Sequence, residues 1–200
     1  MMQRDIDTAM MRRCIALSAT ATAHGDLPIG CLVCDGEEVL GEGTNEVRKG
    51  GDITRHAEIV AMSAGARAHG RRRLAGATLY STVEPCPMCS FALREHNIAR
   101  VVYALGSPVM GGVSKWTIMR DTGLSDVIPE VFGPVPEVVA GLMWQDAAKV
   151  WSAWNPLIWA FIQRRGCFTP APAPGDVVHM EAIPSHGGWL HALLTLGRHN

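Results

Sequence analysis

His56-Ala57-Glu58 and, about thirty residues on, Pro85-Cys86-Pro87-Met88-Cys89 constrain this chain more than anything else in it. They supply one imidazole and two thiols that can bind a metal, and a carboxylate that need not. Three protein donors on zinc leave the fourth tetrahedral position open, which marks a catalytic rather than a structural site. A carboxylate beside that position can take the proton from activated water. If one ion joins the two clusters, the fold must bring both to one point. Both fall where hydrophobic periodicity predicts a helix to begin. Cys86 and Cys89, three apart, share one face of a first turn. His56 and Glu58, two apart, face one way only if the ion sits off the helix end. Each helix N-terminus carries roughly half a positive charge, which favours ionised thiols there.

Around these clusters the sequence alternates. Residues 7–23 read as a helix, with Met10, Cys14, Leu17 and Ala21 at spacings of three and four and Gly25 as its end. Residues 29–35 form a short apolar strand, Asp35-Gly36 is a hairpin turn, and 38–43 is the returning strand. Helices are predicted over 55–69, 87–96 and 147–154, and strands over 77–83, 100–105 and 135–142. Asn155-Pro156 reads as an N-cap with proline at the first position of a further helix. The implied fold is α/β: a three-layer α/β/α sandwich around a five-stranded mixed sheet. One domain over residues 1–165 is expected, followed by a proline-containing C-terminal tail over 166–200 with an apolar patch at 189–196.

Composition narrows the partners. A formal net charge of -1 gives no global field toward nucleic acid or anionic lipid. No apolar run reaches the roughly 18 residues of a membrane span. Charges at Arg4, Asp5, Asp7, Arg12 and Arg13 interrupt any secretory signal. Six cysteines without an export signal fit a reducing compartment, so a cytoplasmic location is expected.

Four stretches carry a family resemblance over about residues 7–105: Leu27-Pro28-Ile29-Gly30, Gly43-Thr44-Asn45, His56-Ala57-Glu58, and the run Ala77-Thr78-Leu79-Tyr80-Ser81-Thr82-Val83-Glu84 leading into Pro85-Cys86-Pro87-Met88-Cys89. Together they resemble the cytidine deaminase-like superfamily, in its branch of tRNA adenosine deaminases, guanine deaminases and fungal cytosine deaminases; H-x-E…P-C-x-x-C is the signature of zinc deaminases. The resemblance implies one Zn²⁺ per chain on His56, Cys86 and Cys89, Glu58 as proton shuttle, Asn45 hydrogen-bonded to the base, and a homodimer. The expected activity is hydrolytic deamination of a nucleobase, nucleoside or similar aminated heterocycle, with water as co-substrate and ammonia released. Pro87 between the cysteines resembles guanine deaminases more than the tRNA enzymes, and the near-neutral charge and the segment after Leu105 favour a small substrate. The alternative is tRNA adenosine-to-inosine editing, with RNA as the partner. Residues 106–116 depart from the charged Gly/Lys/Ser-rich segment of the tRNA enzymes.

Other classes of protein use similar residues. A C-x-x-C opening a helix after a strand is also a thiol oxidoreductase arrangement, though it gives His56 and Glu58 no task. A non-catalytic zinc protein needs a fourth ligand. Cys31 and Cys34 lie within a strand, on opposite faces, and read as core. His69 and His96 sit near helix C-termini, where the dipole accounts for them. Arg67, Arg71, Arg72 and Arg73 form a basic cluster without a stacking aromatic, and read as a solvated helix end. Trp144, Trp151, Trp154, Trp159 and Phe161 read as core packing or as a wall over a planar substrate, and Trp116 as a second wall candidate.

Overall fold

The computed structural model describes residues 2–170 and 178–179. Its sheet is built on five strands in the order β2-β1-β3-β4-β5: β1 (Gly30–Asp35), β2 (Glu38–Thr44), β3 (Thr78–Val83), β4 (Arg100–Gly106) and β5 (Glu137–Ala140). β1 runs antiparallel to both β2 and β3, while β3, β4 and β5 are mutually parallel. The expected five-stranded mixed sheet is therefore present. Two-residue strands extend it: β6 (Thr169–Pro170) on β4 and β7 (Val178–His179) on β5.

Period-two alternation sorts the strand residues onto two faces. Cys31, Val33, Leu79, Val101, Tyr103 and Val138 meet α3 (Ala57–Ala68) and α4 (Pro87–Glu95) through Ala57, Ala61, Met62 and Leu93. Leu32, Cys34, Tyr80, Val102, Ala104 and Val139 meet the other layer. That layer comprises α1 (Gln3–Thr20), α6 (Trp144–Trp154) and α7 (Pro156–Arg164). Cys31 and Cys34 thus lie in separate halves of the core, both fully buried.

α3 lies close on β2 because of glycine. A Cβ on Gly41 would stand 2.4 Å from the Ala61 carbonyl oxygen, and one on Gly43 would stand 2.6 Å from the Ala61 nitrogen. Only hydrogen at these two positions lets the helix that carries Glu58 seat directly on the strand.

The first helix begins at Gln3, four residues before the predicted start, because the Asp5 carboxylate accepts a hydrogen bond from the Met2 N–H at 3.2 Å and holds an extra turn. It ends in a short 3₁₀ turn (Ala21–His24) with Gly25 left-handed at φ 75°. The predicted N-cap at Asn155 is present: its side chain accepts from Leu157 N and Ile158 N. Two short helices had no periodic signal, α2 (Val47–Gly50) and α5 (Gly123–Val127). After α7 the chain returns to the sheet, with Phe168 buried against Trp151 at a ring separation of 5.2 Å. The apolar patch at 189–196 lies outside the described residues. Among the described residues no helix is long and apolar enough to cross a membrane.

One buried ion pair ties the first helix to the sheet. Asp7 accepts two bonds from Arg100, at 2.6 and 2.8 Å, and one from the Tyr80 hydroxyl at 2.8 Å. Burial alone would raise its pKa, but hydrogen bonds from Arg100, Gln3 and Tyr80 outweigh it and hold the carboxyl below its ordinary value. A carboxyl lowered in the folded state contributes stability above its unfolded value near 4, lost as pH falls through the folded value. Asp7→Asn leaves the Arg100 guanidinium with Glu137, at 3.2 Å, and without its main partner. The expected loss is about 3 kcal/mol in urea denaturation at pH 7. The variant should also show a flatter decline of stability below pH 4 than the parent.

Candidate metal centre and active site

β2 and β3 both run antiparallel to β1, so they are parallel to each other and end at the same edge of the sheet. β3 hands over to α4 through Glu84-Pro85-Cys86, and the segment after β2 leads through residues 45–56 into α3. Both helices therefore start at one edge. His56 and Cys86 are the residues immediately before α3 and α4, with extended backbones (φ -69°, ψ 153° and φ -69°, ψ 171°). Glu58 and Cys89 lie in the first turns. The i, i+2 spacing of His56 and Glu58 is thereby accounted for: the histidine stands outside the helix and the glutamate inside it.

The donor atoms converge. Cys86 Sγ is 3.5 Å from His56 Nδ1 and 3.6 Å from Cys89 Sγ, and Cys89 Sγ is 3.6 Å from His56 Nδ1. Zinc bonds near 2.3 Å to sulfur and 2.0–2.1 Å to nitrogen place tetrahedral ligands about 3.5–3.8 Å apart. The three residues therefore fit a zinc ion without rearrangement. Among the described residues, the His, Cys, Asp and Glu side chains whose donor atoms lie within 4.8 Å of one another are these three.

Charge fits as well. The Cys86 thiol is lowered to about 4, chiefly through its hydrogen bond with Cys89, with further help from His56. Cys89 is pushed up by that same bond, by burial and by the nearby Glu58 carboxylate. Zinc binds thiolates, so metal uptake by this pair is coupled to loss of thiol protons. His56 is raised, mainly by its hydrogen bond to Cys86.

Glu58 is 4% exposed. Its Oε1 accepts from Ser81 Oγ at 2.9 Å, which leaves Oε2 facing the sulfurs, 3.5 Å from Cys89 Sγ. Burial raises its pKa, as carboxyls that must hold and release a proton require. These residues open onto a cavity of about 630 Å³ whose lining includes Asn45, His56, Glu58, Cys86, Trp154 and Phe168. Asn45, on the same wall, is 6% exposed. The C-terminal aromatics divide between two tasks: Trp151 and Trp159 are core, while Trp154 lines the cavity beside the aliphatic Ile158. Phe161 and Trp116 are exposed at 54% and 57%.

A model of the cytidine and deoxycytidylate deaminase zinc-binding region matches residues 4–105. The chain belongs to this family. A tRNA-specific adenosine deaminase of Haemophilus influenzae is 34% identical over 135 residues, which cover 66% of this chain and 78% of that protein. A solved structure from a study of A-to-I editing by tRNA:A34 deaminases at the wobble position of transfer RNA matches with a TM-score of 0.62 at 29% identity. It covers 72% of this chain and 99% of that one. A tRNA(Ile)-lysidine synthase of Deinococcus deserti is 37% identical over 146 residues, 72% of this chain. This family member spans only 26% of that protein's length.

Three residues of the site were not singled out by sequence reasoning: Ser81 and Glu84, which lie inside a quoted stretch, and Asp26, which lies just before one. Glu84 is the most heavily bonded. It is 3% exposed and accepts from Ser107 N at 2.6 Å, Val113 N at 3.0 Å, and Ser114 N and Oγ at 2.7 and 2.9 Å. It clamps residues 107–114 beside the cysteine ligands. Gly111 and Gly112 fit under this clamp because a Cβ there would overlap Glu84 and Ser90. Glu84→Gln replaces one acceptor oxygen with a donor and orphans at least one buried N–H. It should cost about 1–3 kcal/mol and expose residues 107–114 to proteolysis. Denaturation and limited digestion read both effects.

Proposed function

We propose that this chain is a zinc-dependent hydrolytic deaminase whose substrate is an adenosine in RNA, converted to inosine with release of ammonia. The carrying observation is the Glu58 carboxylate beside the sulfur–imidazole triad on the wall of one cavity. His56 Nδ1 and the sulfurs of Cys86 and Cys89 would hold the ion. Zinc bound there supplies Lewis-acid activation of water. Glu58 would take one proton from that water and pass it to the ring nitrogen as the water oxygen bonds to the amine-bearing carbon. It would then pass the second proton, from the added hydroxyl, to the amine as the C–N bond breaks and ammonia leaves. Ser81 fixes one carboxylate oxygen so that the other points at the reacting groups. Asn45 engages the base or its sugar, and Trp154, Ile158 and Phe168 give the cavity an apolar wall that excludes water.

Two considerations move the substrate from a free base to RNA. The relatives described above with that printed activity are similar over most of their length, and the chain's net charge does not describe the cavity rim, where Arg48 stands. Pro87, which pointed to a guanine deaminase-like enzyme, occupies the first position of α4. Proline suits that position in any helix, so it reports helix geometry rather than base choice.

Purified protein should carry one zinc per chain by metal analysis, and His56→Ala or Cys86→Ser should lose it. Glu58→Ala should keep the zinc while turnover falls by at least about 10²- to 10⁴-fold. Loss of metal from Glu58→Ala would remove the role assigned to that carboxylate. Inosine formation in a tRNA anticodon stem-loop, set against ammonia release from guanine, adenine, cytosine and their nucleosides, decides the substrate. RNA binding should weaken steeply with added salt, and activity confined to a free base would overturn the RNA assignment.

A further inference from the structure

Asp26 lines the same cavity as Asn45 and Glu58, and the chemistry above leaves it without a task. It is 2% exposed. Its Oδ1 accepts from Asn45 Nδ2 at 3.2 Å and from the Arg48 backbone N–H at 2.8 Å, and its Oδ2 accepts from the Lys49 N–H at 3.0 Å. The Arg48 guanidinium turns instead to the Gly25 carbonyl at 3.4 Å, so the side-chain donor that Asp26 engages is Asn45. Antiparallel pairing explains how the two meet. Gly30 pairs with Thr44, which puts the residues before β1 beside the residue after β2, and Asn45 N donates to Ile29 O at 3.0 Å. The two amide bonds from α2 lock the carboxylate from the far side. Glu46, which precedes that helix, makes no cap of its own, because its carboxylate engages Lys49 and Arg55.

We propose that Asp26 is the positioning residue that fixes the orientation of the Asn45 side-chain amide. Asn45 then offers the substrate its carbonyl oxygen and its second N–H. What Asn45 does with them rests on the deaminase function above; the contact itself does not. An amide has one accepting and one donating end, whereas an ionised carboxylate only accepts. Turning the Asn45 amide over would set its oxygen against a carboxylate oxygen in a buried site, replacing an attraction with a repulsion. The cavity therefore presents a fixed acceptor, which selects for an N–H or O–H on the substrate. A site built to bond such a group discriminates strongly against an analogue lacking it.

Asp26→Asn, nearly the same size, weakens this control: one oxygen cannot serve the Asn45, Arg48 and Lys49 donors that two oxygens now share, and loss of the charge lowers the penalty for a turned Asn45 amide. The test is a double-mutant cycle on kcat/KM for inosine formation in the anticodon stem-loop, with zinc measured in every variant. Asp26→Asn should lower kcat/KM at least tenfold, mainly through KM, with zinc retained. In an Asn45→Ala background the same change should cost less than about twofold, since the effect travels through Asn45. Asp26→Ser, a shorter uncharged residue that can still cap α2, is run in parallel in case Asp26→Asn folds poorly, with the same expectation. An equal loss in both backgrounds, loss of zinc, or wild-type kinetics would each overturn the proposal. A second measurement needs no activity: the ¹⁵N–¹H resonances of the Asn45 side-chain amide should shift and exchange faster in Asp26→Asn. Unchanged resonances would refute the contact. A wild type inactive on every substrate would instead refute the function proposed above, while this comparison still decides the contact.

Discussion

Parallel alignment of β2 and β3 is the constraint on which the site depends. Each strand delivers a helix to the same sheet edge, and each helix begins beside a metal-binding side chain. Because His56 and Cys86 both stand just outside their helices, both N-terminal dipoles point at the donor atoms. Two thiolates and an imidazole nearly cancel the charge of a divalent ion. The helix ends return some positive potential where water must be made acidic. A register slip in β1, which pairs with both strands, would separate the two halves of the donor set.

Buried charges do much of the fastening around this centre. Asp7 joins the first helix to β3 and β4, Glu84 holds residues 107–114, and Asp26 holds Asn45 and α2. Arg94 works in the opposite sense on the same irregular stretch. It is 2% exposed and donates to the carbonyls of Ile118, Asp121 and Gly133 and to Ser125 Oγ. One acid collecting N–H groups and one base collecting carbonyls thus organise the long connection between β4 and β5. Such groups are costly to bury unless they are bonded, and here most of their polar atoms are, Arg94 Nε being an exception. They make the cavity wall a defined surface, although most of residues 107–134 lie outside regular structure.

Much of this was legible in the sequence because it is local. Alternation of period two and period 3.6 located the five strands and the main helices, and Asp35-Gly36 and Asn155-Pro156 announced a turn and a cap. Cys31 and Cys34 could be set apart from the metal by strand geometry alone. The donor set followed from residue types and spacing, and the family resemblance added Asn45. Nearly all the partners of Asp7, Asp26, Glu84 and Arg94 were not legible, since they lie nineteen or more residues away and no periodicity encodes such a pairing. α2 and α5 were missed for a related reason: four- and five-residue helices are too short to show an apolar stripe. The tryptophans could be read as core or as cavity wall, and the chain uses them as both.

The central claim is that an ion held by one nitrogen and two sulfurs keeps a position for a water molecule. X-ray absorption at the zinc edge of the purified protein tests it most directly. The expected spectrum has two sulfur scatterers near 2.3 Å and two light scatterers near 2.0–2.1 Å, one of them displaced when an inhibitor carrying a metal-binding group is added. A spectrum with a third sulfur, or one unchanged by any such inhibitor, would contradict it.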